Sequence, residues 1–218
     1  CKENHQRWCP LTVICCLFYG RSTSALTSQL RMQCIVKNRH SCMNSKRMLT
    51  KVEKWKAKYN LPARNCYNYD NYDQIATNPD IDAVYVVLPN GMHPEYTIRG
   101  AKAGKHVLCE KPMANSASDC QAMINACKDA GKKLAIGYRC QFEPNNIECM
   151  RLAREKVFGD LKMIDAGFGF RIGNPDQWRL KADLAGGGAL MDVGIYALQA
   201  CRFLAGEEPV EISAQETK

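Results

Sequence analysis

The stretch that decides the fold occupies residues 81 to 112 and reads IDAVYVVLPNGMHPEYTIRGAKAGKHVLCEKP. Ile81 to Leu88 is a Val-rich apolar run, which is typical of a strand that is buried on both faces. A helix is expected from His93 to Ala103, because Gly104 then ends the helical pattern, and His106 to Cys109 is expected to form the next strand. A strand, a crossover helix and a second strand predict a parallel pair of strands.

The residues on either side extend this pattern. Ser116 followed by Asp119 is typical of a helix start, and this helix is expected to end at Gly131. Leu134 to Gly137 is then expected to form a third strand, with further helices over Asn71 to Thr77 and Asn145 to Lys156. This alternation predicts an α/β fold, a Rossmann-type doubly wound parallel sheet, with polar residues at the carboxyl ends of the strands.

The pattern changes after Gly159. Leu161 to Phe170 and Val210 to Thr217 alternate as antiparallel strands do, and a helix is expected from Leu190 to Leu204. These elements predict an α+β domain with a mainly antiparallel sheet. Because two strands do not make a stable sheet, this domain is expected to be truncated and the chain to be a fragment.

The first 50 residues do not follow the pattern. Residues 1–60 hold twelve Lys and Arg against two acids, while residues 61–218 hold eighteen against twenty. Gly20 is the only glycine before Gly91, so the G-x-G-x-x-G turn that binds a dinucleotide pyrophosphate is missing. Leu11 to Tyr19 fits a first strand or the core of a signal peptide, and Leu26 to Thr50 fits neither.

We therefore interpret residues 1–50 as an anomalous segment that is out of frame, wrongly joined or signal-like. Residues 51–142 are expected to form a partial dinucleotide-binding domain. Residues 143–218 are expected to form the truncated substrate and catalytic domain.

Composition excludes several classes of protein. The chain has 218 residues, of which 46% are hydrophobic and 24% charged, as in ordinary globular proteins. No apolar run approaches the ~20 residues of a membrane span, and neither a zinc-finger spacing nor an aromatic RNA-binding motif occurs. The 13 cysteines never form Cys-x-x-Cys, so no metal site is expected. We expect a cytoplasmic protein, or a periplasmic or secreted one if the N-terminal apolar run is a signal.

Three residues carry candidate chemistry. Lys111 follows a strand at the edge where open α/β sheets bind ligands, and its ammonium could hydrogen-bond a substrate hydroxyl. Asp192 and Tyr196 are four residues apart and so share one helix face, where a phenol could take a proton and a carboxylate could accept hydrogen bonds from a sugar. The alternatives are a solvated surface Lys, an acid at a helix start and a half-buried Tyr.

Three motifs in order resemble the glucose-fructose oxidoreductase, inositol dehydrogenase and related (Gfo/Idh/MocA) family, above all its glucose-fructose oxidoreductase branch. They span Ala83 to Ser116, Ile136 to Pro144 (IGYRCQFEP) and Trp178 to Pro209. The resemblance covers about residues 51–218 and not residues 1–50. It implies an oxidoreductase that moves hydride between a nicotinamide cofactor and a sugar or polyol, with NADP chosen over NAD because that branch uses it. The alternative is an inactive fragment or pseudoenzyme with a broken cofactor fold.

The resemblance also implies roles for individual residues. Lys111, Asp192 and Tyr196 are expected to be catalytic, although many relatives carry His where Tyr196 stands. The expected cofactor-binding residues are Tyr69, Leu88, Pro89, Asn90, His93, Glu110, Lys111, Arg139, Trp178 and Arg179. Tyr138 is expected in the same cleft, and the Lys111–Pro112 peptide is expected to be cis.

Other interpretations stay open for some of these residues. Tyr67 and Tyr72 compete with Tyr69, and His93 could be a helix-start histidine without a ligand. Gly186 to Gly188 could bring backbone close to a ligand or form a flexible turn. The expected partners are a small sugar or polyol and further copies of the chain, paired through the C-terminal sheet, with neither nucleic acid nor membrane.

Overall fold

The computed structural model describes residue 53, residues 56–215 and the backbone of residues 32–36. It divides the chain into two compact units, Cys1–Ile136 and Gly137–Lys218. The division falls after Ile136, where the sequence suggested residue 142. Each unit is described separately below.

The first unit is built on a four-stranded parallel sheet in the order β1-β2-β3-β4. The strands are β1 (Met32–Val36), β2 (Ala83–Val87), β3 (His106–Cys109) and β4 (Leu134–Ile136). Ala83 pairs with Met32 on one side and with His106 on the other, and Val107 pairs with Leu134. The predicted parallel Rossmann-type sheet is confirmed, while double winding needs strands beyond these four and lies outside the described residues.

Two helices cross over between these strands, α1 (His93–Lys102) and α2 (Ala117–Asp129). The Ser116 hydroxyl caps α2 by accepting a hydrogen bond from the Asp119 N–H at 3.1 Å, as the sequence predicted. Because both crossovers step in the same direction across the sheet, the two helices lie on one face and pack together. Residues 56–59 are also helical, and short 3₁₀ turns occupy Ala63–Asn65, Tyr72–Thr77 and Asn90–Met92.

The core of this unit lies between the sheet and the helices. Val84, Ile75 and Met123 are fully buried, and Cys109 lies among them. Burial raises the pKa of the Cys109 thiol to about 12, because the thiolate would lose its hydration. Cys109 thus acts as a small apolar side chain. All seven described cysteines are free, and Cys149 is exposed.

β1 changes the interpretation of the N-terminal segment. Met32–Val36 was assigned to the anomalous residues 1–50, yet it pairs with β2 over its whole length. MQCIV is mostly apolar and is bounded by Arg31 and Lys37, so it can add a strand without a glycine-rich turn beside it. Leu11 to Tyr19, the other candidate for a first strand, lies outside the described residues.

The regular elements of the second unit, within residues 137–215, are helices and helical turns. Its helices are α3 (Pro144–Arg154), α4 (Ala182–Ala185) and α5 (Ile195–Ala205), and a π-helical turn, Leu190–Gly194, leads directly into α5. Two 3₁₀ turns occupy Arg139–Gln141 and Trp178–Leu180. The Arg154 guanidinium donates to the Phe203 carbonyl at 3.0 Å and so ties α3 to the end of α5.

The predicted antiparallel sheet is not formed in residues 137–215, which contain no strand. The segments predicted as strands leave large apolar side chains exposed, including Met163 and Ile212 at 83% and 80%. A strand needs a neighbour to pair its backbone N–H and C=O groups, and alternation in one segment does not supply that neighbour. The predicted strands are therefore not formed over residues 161–170 and 210–215, and the end of the second one, residues 216–217, lies outside the described residues.

One helical stretch, Ala182–Ala205, is long and apolar enough to cross a membrane by length and composition alone. Its winding is interrupted, because Gly186 has a φ of 76° and ends α4. Core helices of globular proteins pass the same test of length and composition. The expected absence of a membrane partner stays a prediction.

Candidate functional site

The carboxyl ends of β2 and β3 bring most of the predicted cofactor residues of the first unit together. β2 leads into Leu88, Pro89 and Asn90, which are all buried. β3 leads into Glu110, whose N–H donates to the Val86 carbonyl at 2.9 Å and so continues the strand pairing by one residue. The segments 88–90 and 110–113 are called here the β2 loop and the β3 loop.

Glu110 holds the β3 loop. Its carboxylate accepts hydrogen bonds from the Lys111 backbone N–H, at 3.2 Å, and from the hydroxyl of Tyr85 in β2. The Lys111–Pro112 peptide is cis, as the resemblance implied. Tyr85 was not predicted from the sequence. A tyrosine inside a Val-rich strand is nevertheless a signal, because a buried tyrosine hydroxyl needs a polar partner.

His93, the first residue of α1, lies between the two loops with its side chain fully buried. Nδ1 lies 2.8 Å from the Pro112 carbonyl oxygen, and Nε2 lies 2.8 Å from the Leu88 carbonyl oxygen. Burial lowers the pKa of the imidazole, while these two carbonyls and the Glu110 carboxylate oppose that effect. The ring is thus directed at protein backbone on both sides.

Tyr69 precedes the 3₁₀ turn of residues 72–77. Its ring packs against Tyr96 of α1 with a centroid distance of 5.2 Å, and its carbonyl accepts a hydrogen bond from Arg99 at 3.4 Å. Tyr72, one of its two competitors, is fully buried and donates its hydroxyl to the Tyr96 carbonyl at 2.9 Å. Tyr72 is therefore a core residue, and Tyr69 stays the prediction for the cofactor.

In the second unit, the predicted residues Trp178, Arg179 and Asp192 lie together. The Arg179 Nε donates to Asp192 Oδ2 at 2.6 Å, and the guanidinium stacks on the Trp178 ring at 4.4 Å from its centroid. Asp192 is 7% exposed, and Trp178 packs on Leu184 and Ala185 of α4. The ion pair therefore fixes the direction of a nearly buried carboxylate.

Breaking this pair from the arginine side is expected to destabilise the protein. Because Arg179→Met leaves the Asp192 carboxylate buried without its guanidinium, the free energy of unfolding should fall by about 2 kcal/mol, less than for a fully buried pair. Urea denaturation of Arg179→Met, Asp192→Asn and the double variant measures the coupling. Strictly additive losses would contradict a stabilising pair.

Two of the three predicted catalytic residues, Asp192 and Tyr196, lie just before α5 and in its first turn. Gly186, Gly187 and Gly188 have φ values of 76°, 152° and 63°, a region that disfavours side chains with a Cβ, so this turn has a defined conformation. The π-helical turn that follows carries Asp192, and Tyr196 is the second residue of α5. The structure thus puts both residues at the start of one continuous helix.

Tyr138 packs against Tyr196. Their ring centroids are 5.3 Å apart, and the centroid of the Phe168 ring lies 5.8 Å from that of Tyr196. The Tyr138 hydroxyl donates to the Ile195 carbonyl at 2.5 Å. Burial raises the pKa of the Tyr138 phenol, so it stays protonated as a donor. Tyr138 therefore anchors the first turn of α5, next to the residue predicted to exchange the proton.

Removing this anchor is expected to cost stability. Tyr138→Phe keeps the ring but loses the bond to the Ile195 carbonyl, so the free energy of unfolding should fall by about 1 kcal/mol. The midpoint of urea denaturation measures the effect. Tyr59→Phe, a change at a 40% exposed tyrosine, is the matched control and should leave the midpoint nearly unchanged.

Arg139, in the 3₁₀ turn after Tyr138, has an exposed side chain. Its contact with a cofactor stays a prediction. Within residue 53 and residues 56–215, no group of three or more His, Cys, Asp or Glu side chains is arranged to hold a metal ion. The expected absence of a metal site likewise stays a prediction.

Comparison with known families gives matches over both units. The model described as "Oxidoreductase family, NAD-binding Rossmann fold" (GFO_IDH_MocA) matches residues 24–138, and the model described as "GFO/IDH/MocA C-terminal domain" matches residues 147–218. The first match begins inside residues 1–50, so the similarity extends further toward the N-terminus than the expected residue 51. β1 lies within this extension.

Individual relatives agree with the family models. A D-xylose 1-dehydrogenase (NADP(+)) of Haloferax volcanii is 37% identical over 63% of this chain and 42% of its own length. A trans-1,2-dihydrobenzene-1,2-diol dehydrogenase of Xenopus tropicalis is 32% identical over 78% of this chain and 50% of its own. The chain therefore spans about half the length of such relatives.

Among solved structures, the aldose-aldose oxidoreductase from Caulobacter crescentus, complexed with glycerol, is similar to this chain. It is 52% identical, with a TM-score of 0.71, over 74% of this chain and 48% of its own. A likeness of this degree in both sequence and backbone supports the same fold in both proteins.

Proposed function

The chain belongs to the Gfo/Idh/MocA oxidoreductase family, as the sequence motifs predicted, and from this membership we propose that it acts in an NADP-dependent oxidoreductase. The substrate class is a sugar or polyol, whose hydroxyl is oxidised or whose carbonyl is reduced. The carrying observation is the Glu110-Lys111-Pro112 turn at the carboxyl edge of a parallel Rossmann sheet, where such sheets bind their ligands.

Each unit supplies part of the proposed chemistry. In the second unit, the Tyr196 phenol would exchange a proton with the reacting hydroxyl, and the Asp192 carboxylate would accept hydrogen bonds from the sugar. In the first unit, the Lys111 ammonium would hydrogen-bond a substrate hydroxyl. A bound NADP supplies or accepts the hydride.

The β2 and β3 loops fit a nucleotide cofactor. The side-chain oxygen of Asn115, three residues beyond Pro112, is buried and has no hydrogen-bond partner within the described part of the chain. A buried acceptor at this edge suits a ribose hydroxyl, which can donate to it. We propose that NADP contacts Tyr69, Leu88, Pro89, Asn90, Glu110 and Lys111 in the first unit. Arg139, Trp178 and Arg179 of the second unit stay predicted cofactor residues.

The second candidate is a chain that binds no dinucleotide. It is favoured by one observation, the absence of a G-x-G-x-x-G turn anywhere before Gly91. Without such a turn, the backbone presents fewer N–H groups to a pyrophosphate.

The cytoplasmic location and the homo-oligomer also stay proposals.

Nucleotide titration distinguishes the two functions. The purified protein is titrated with NADP and with NAD in a calorimeter, and a dissociation constant in the micromolar range for NADP, with weaker binding of NAD, supports the oxidoreductase. Millimolar or undetectable binding of both supports the second candidate. A screen of aldoses and inositols for reduction of NADP, followed by its near-ultraviolet absorbance, then identifies the substrate.

A further inference from the structure

The His93 ring contacts backbone carbonyls of both the β2 loop and the β3 loop. Its Nδ1 faces Pro112, the residue after Lys111, and its Nε2 faces Leu88, the first residue of the β2 loop, each at 2.8 Å. The ring is fully buried, so neither nitrogen is open to solvent.

Carbonyl oxygens only accept hydrogen bonds, so each contact requires an N–H on the ring. A neutral imidazole has one N–H and can donate to one carbonyl only. Both contacts at 2.8 Å are hydrogen bonds in the doubly protonated ring, a form that burial opposes and that the two carbonyls and the Glu110 carboxylate favour. A phenyl ring of similar size would fill the same space and donate to neither carbonyl. Replacing the imidazole by a phenyl ring therefore removes the two hydrogen bonds to the loops and keeps the packing of the ring.

We propose that His93 is a positioning residue that joins the β2 loop to the β3 loop through its two ring nitrogens and so holds Asn90 and Lys111 in one arrangement for the cofactor. This assignment differs from the predicted direct contact between His93 and the cofactor. It rests on the proposed function only for the identity of the ligand, because the contacts themselves lie within the protein.

Two substitutions separate the two bonds. In His93→Asn the amide nitrogen stands near the position of Nδ1 and can still donate to the Pro112 carbonyl, and in His93→Gln it stands near Nε2 and can donate to the Leu88 carbonyl. His93→Phe removes both donors and keeps a ring. His106→Asn is the matched control, since His106 also bonds backbone, accepting from the Lys133 N–H at 2.9 Å, but at the amino end of β3.

Hydrogen–deuterium exchange of the protein without nucleotide is the first measurement. His93→Phe should speed exchange in peptides covering residues 88–92 and 110–115. His93→Asn should retain the wild-type rate in 110–115 alone, and His93→Gln in 88–92 alone. Equal behaviour of all three variants in both peptides, or the same changes in His106→Asn, would overturn the proposal.

NADP affinity is the second measurement. His93→Phe should weaken NADP binding roughly tenfold, the size expected for the loss of one or two hydrogen bonds that order a site, with partial recovery in His93→Asn. Unchanged affinity in His93→Phe would overturn the link to the cofactor. If the wild-type protein binds no NADP, the proposed function fails, while the exchange measurement still decides whether His93 joins the loops.

Discussion

Tyr196→Phe is expected to slow hydride transfer by about 100-fold or more, the usual size of a general acid–base contribution. The phenyl ring keeps the contacts with Tyr138 and Phe168, so the fold around α5 should persist. NADP affinity should barely change, because the lost hydroxyl serves the substrate. Single-turnover rates and nucleotide titration of the full-length protein measure the two effects.

Tyr138→Phe is the control for this experiment. It removes a hydroxyl from the adjacent ring and weakens the anchor of α5, but it leaves the proposed proton-exchanging group in place. Its rate should therefore fall much less than that of Tyr196→Phe. Equal rates for the wild type and Tyr196→Phe would remove Tyr196 from the mechanism.

Lys111→Ala is expected to have the second largest effect, again about 100-fold in rate, because the ammonium would no longer hydrogen-bond a substrate hydroxyl. Lys111→Arg keeps the charge but presents it as a wide planar fork, and should recover only part of the activity. Lys102→Ala, at an exposed lysine near the end of α1, is the matched control and should leave the rate unchanged.

The double variant Lys111→Ala with Tyr196→Phe tests whether the two residues act in one step. Groups that act as a unit are strongly non-additive, so the double variant should be little slower than the slower single variant. Fully multiplicative losses would show that Lys111 and Tyr196 contribute to different steps.

The sequence was sufficient for the first unit because its elements are marked locally. β3 occupies His106–Cys109 as predicted, α1 and α2 begin where their start signals stand, and the two strand ends carry the predicted polar residues. Each of these features depends on a run of a few residues and on the glycine or proline that ends it.

The features that were missed depend on partners distant in the chain. Leu161 to Phe170 has the alternation of a strand, but whether it becomes one depends on a neighbouring strand. The bond from Tyr85 to Glu110 and the two contacts of His93 join residues that are 5 to 25 positions apart. Side-chain direction at these positions is set by packing, which no local pattern shows.

The π-helical turn before α5 has a consequence for aligning homologous sequences. A π turn accommodates one residue more than an α turn, so deleting a residue from Leu190–Gly194 could restore regular winding without breaking the helix. The residues on the two sides of the deletion would keep nearly the same orientation around the axis, because a π turn closes its hydrogen bond over one residue more than an α turn. A homologue that is one residue shorter here would therefore keep its Asp and its Tyr on one face of the helix, and an alignment that omits the gap would pair residues from different faces.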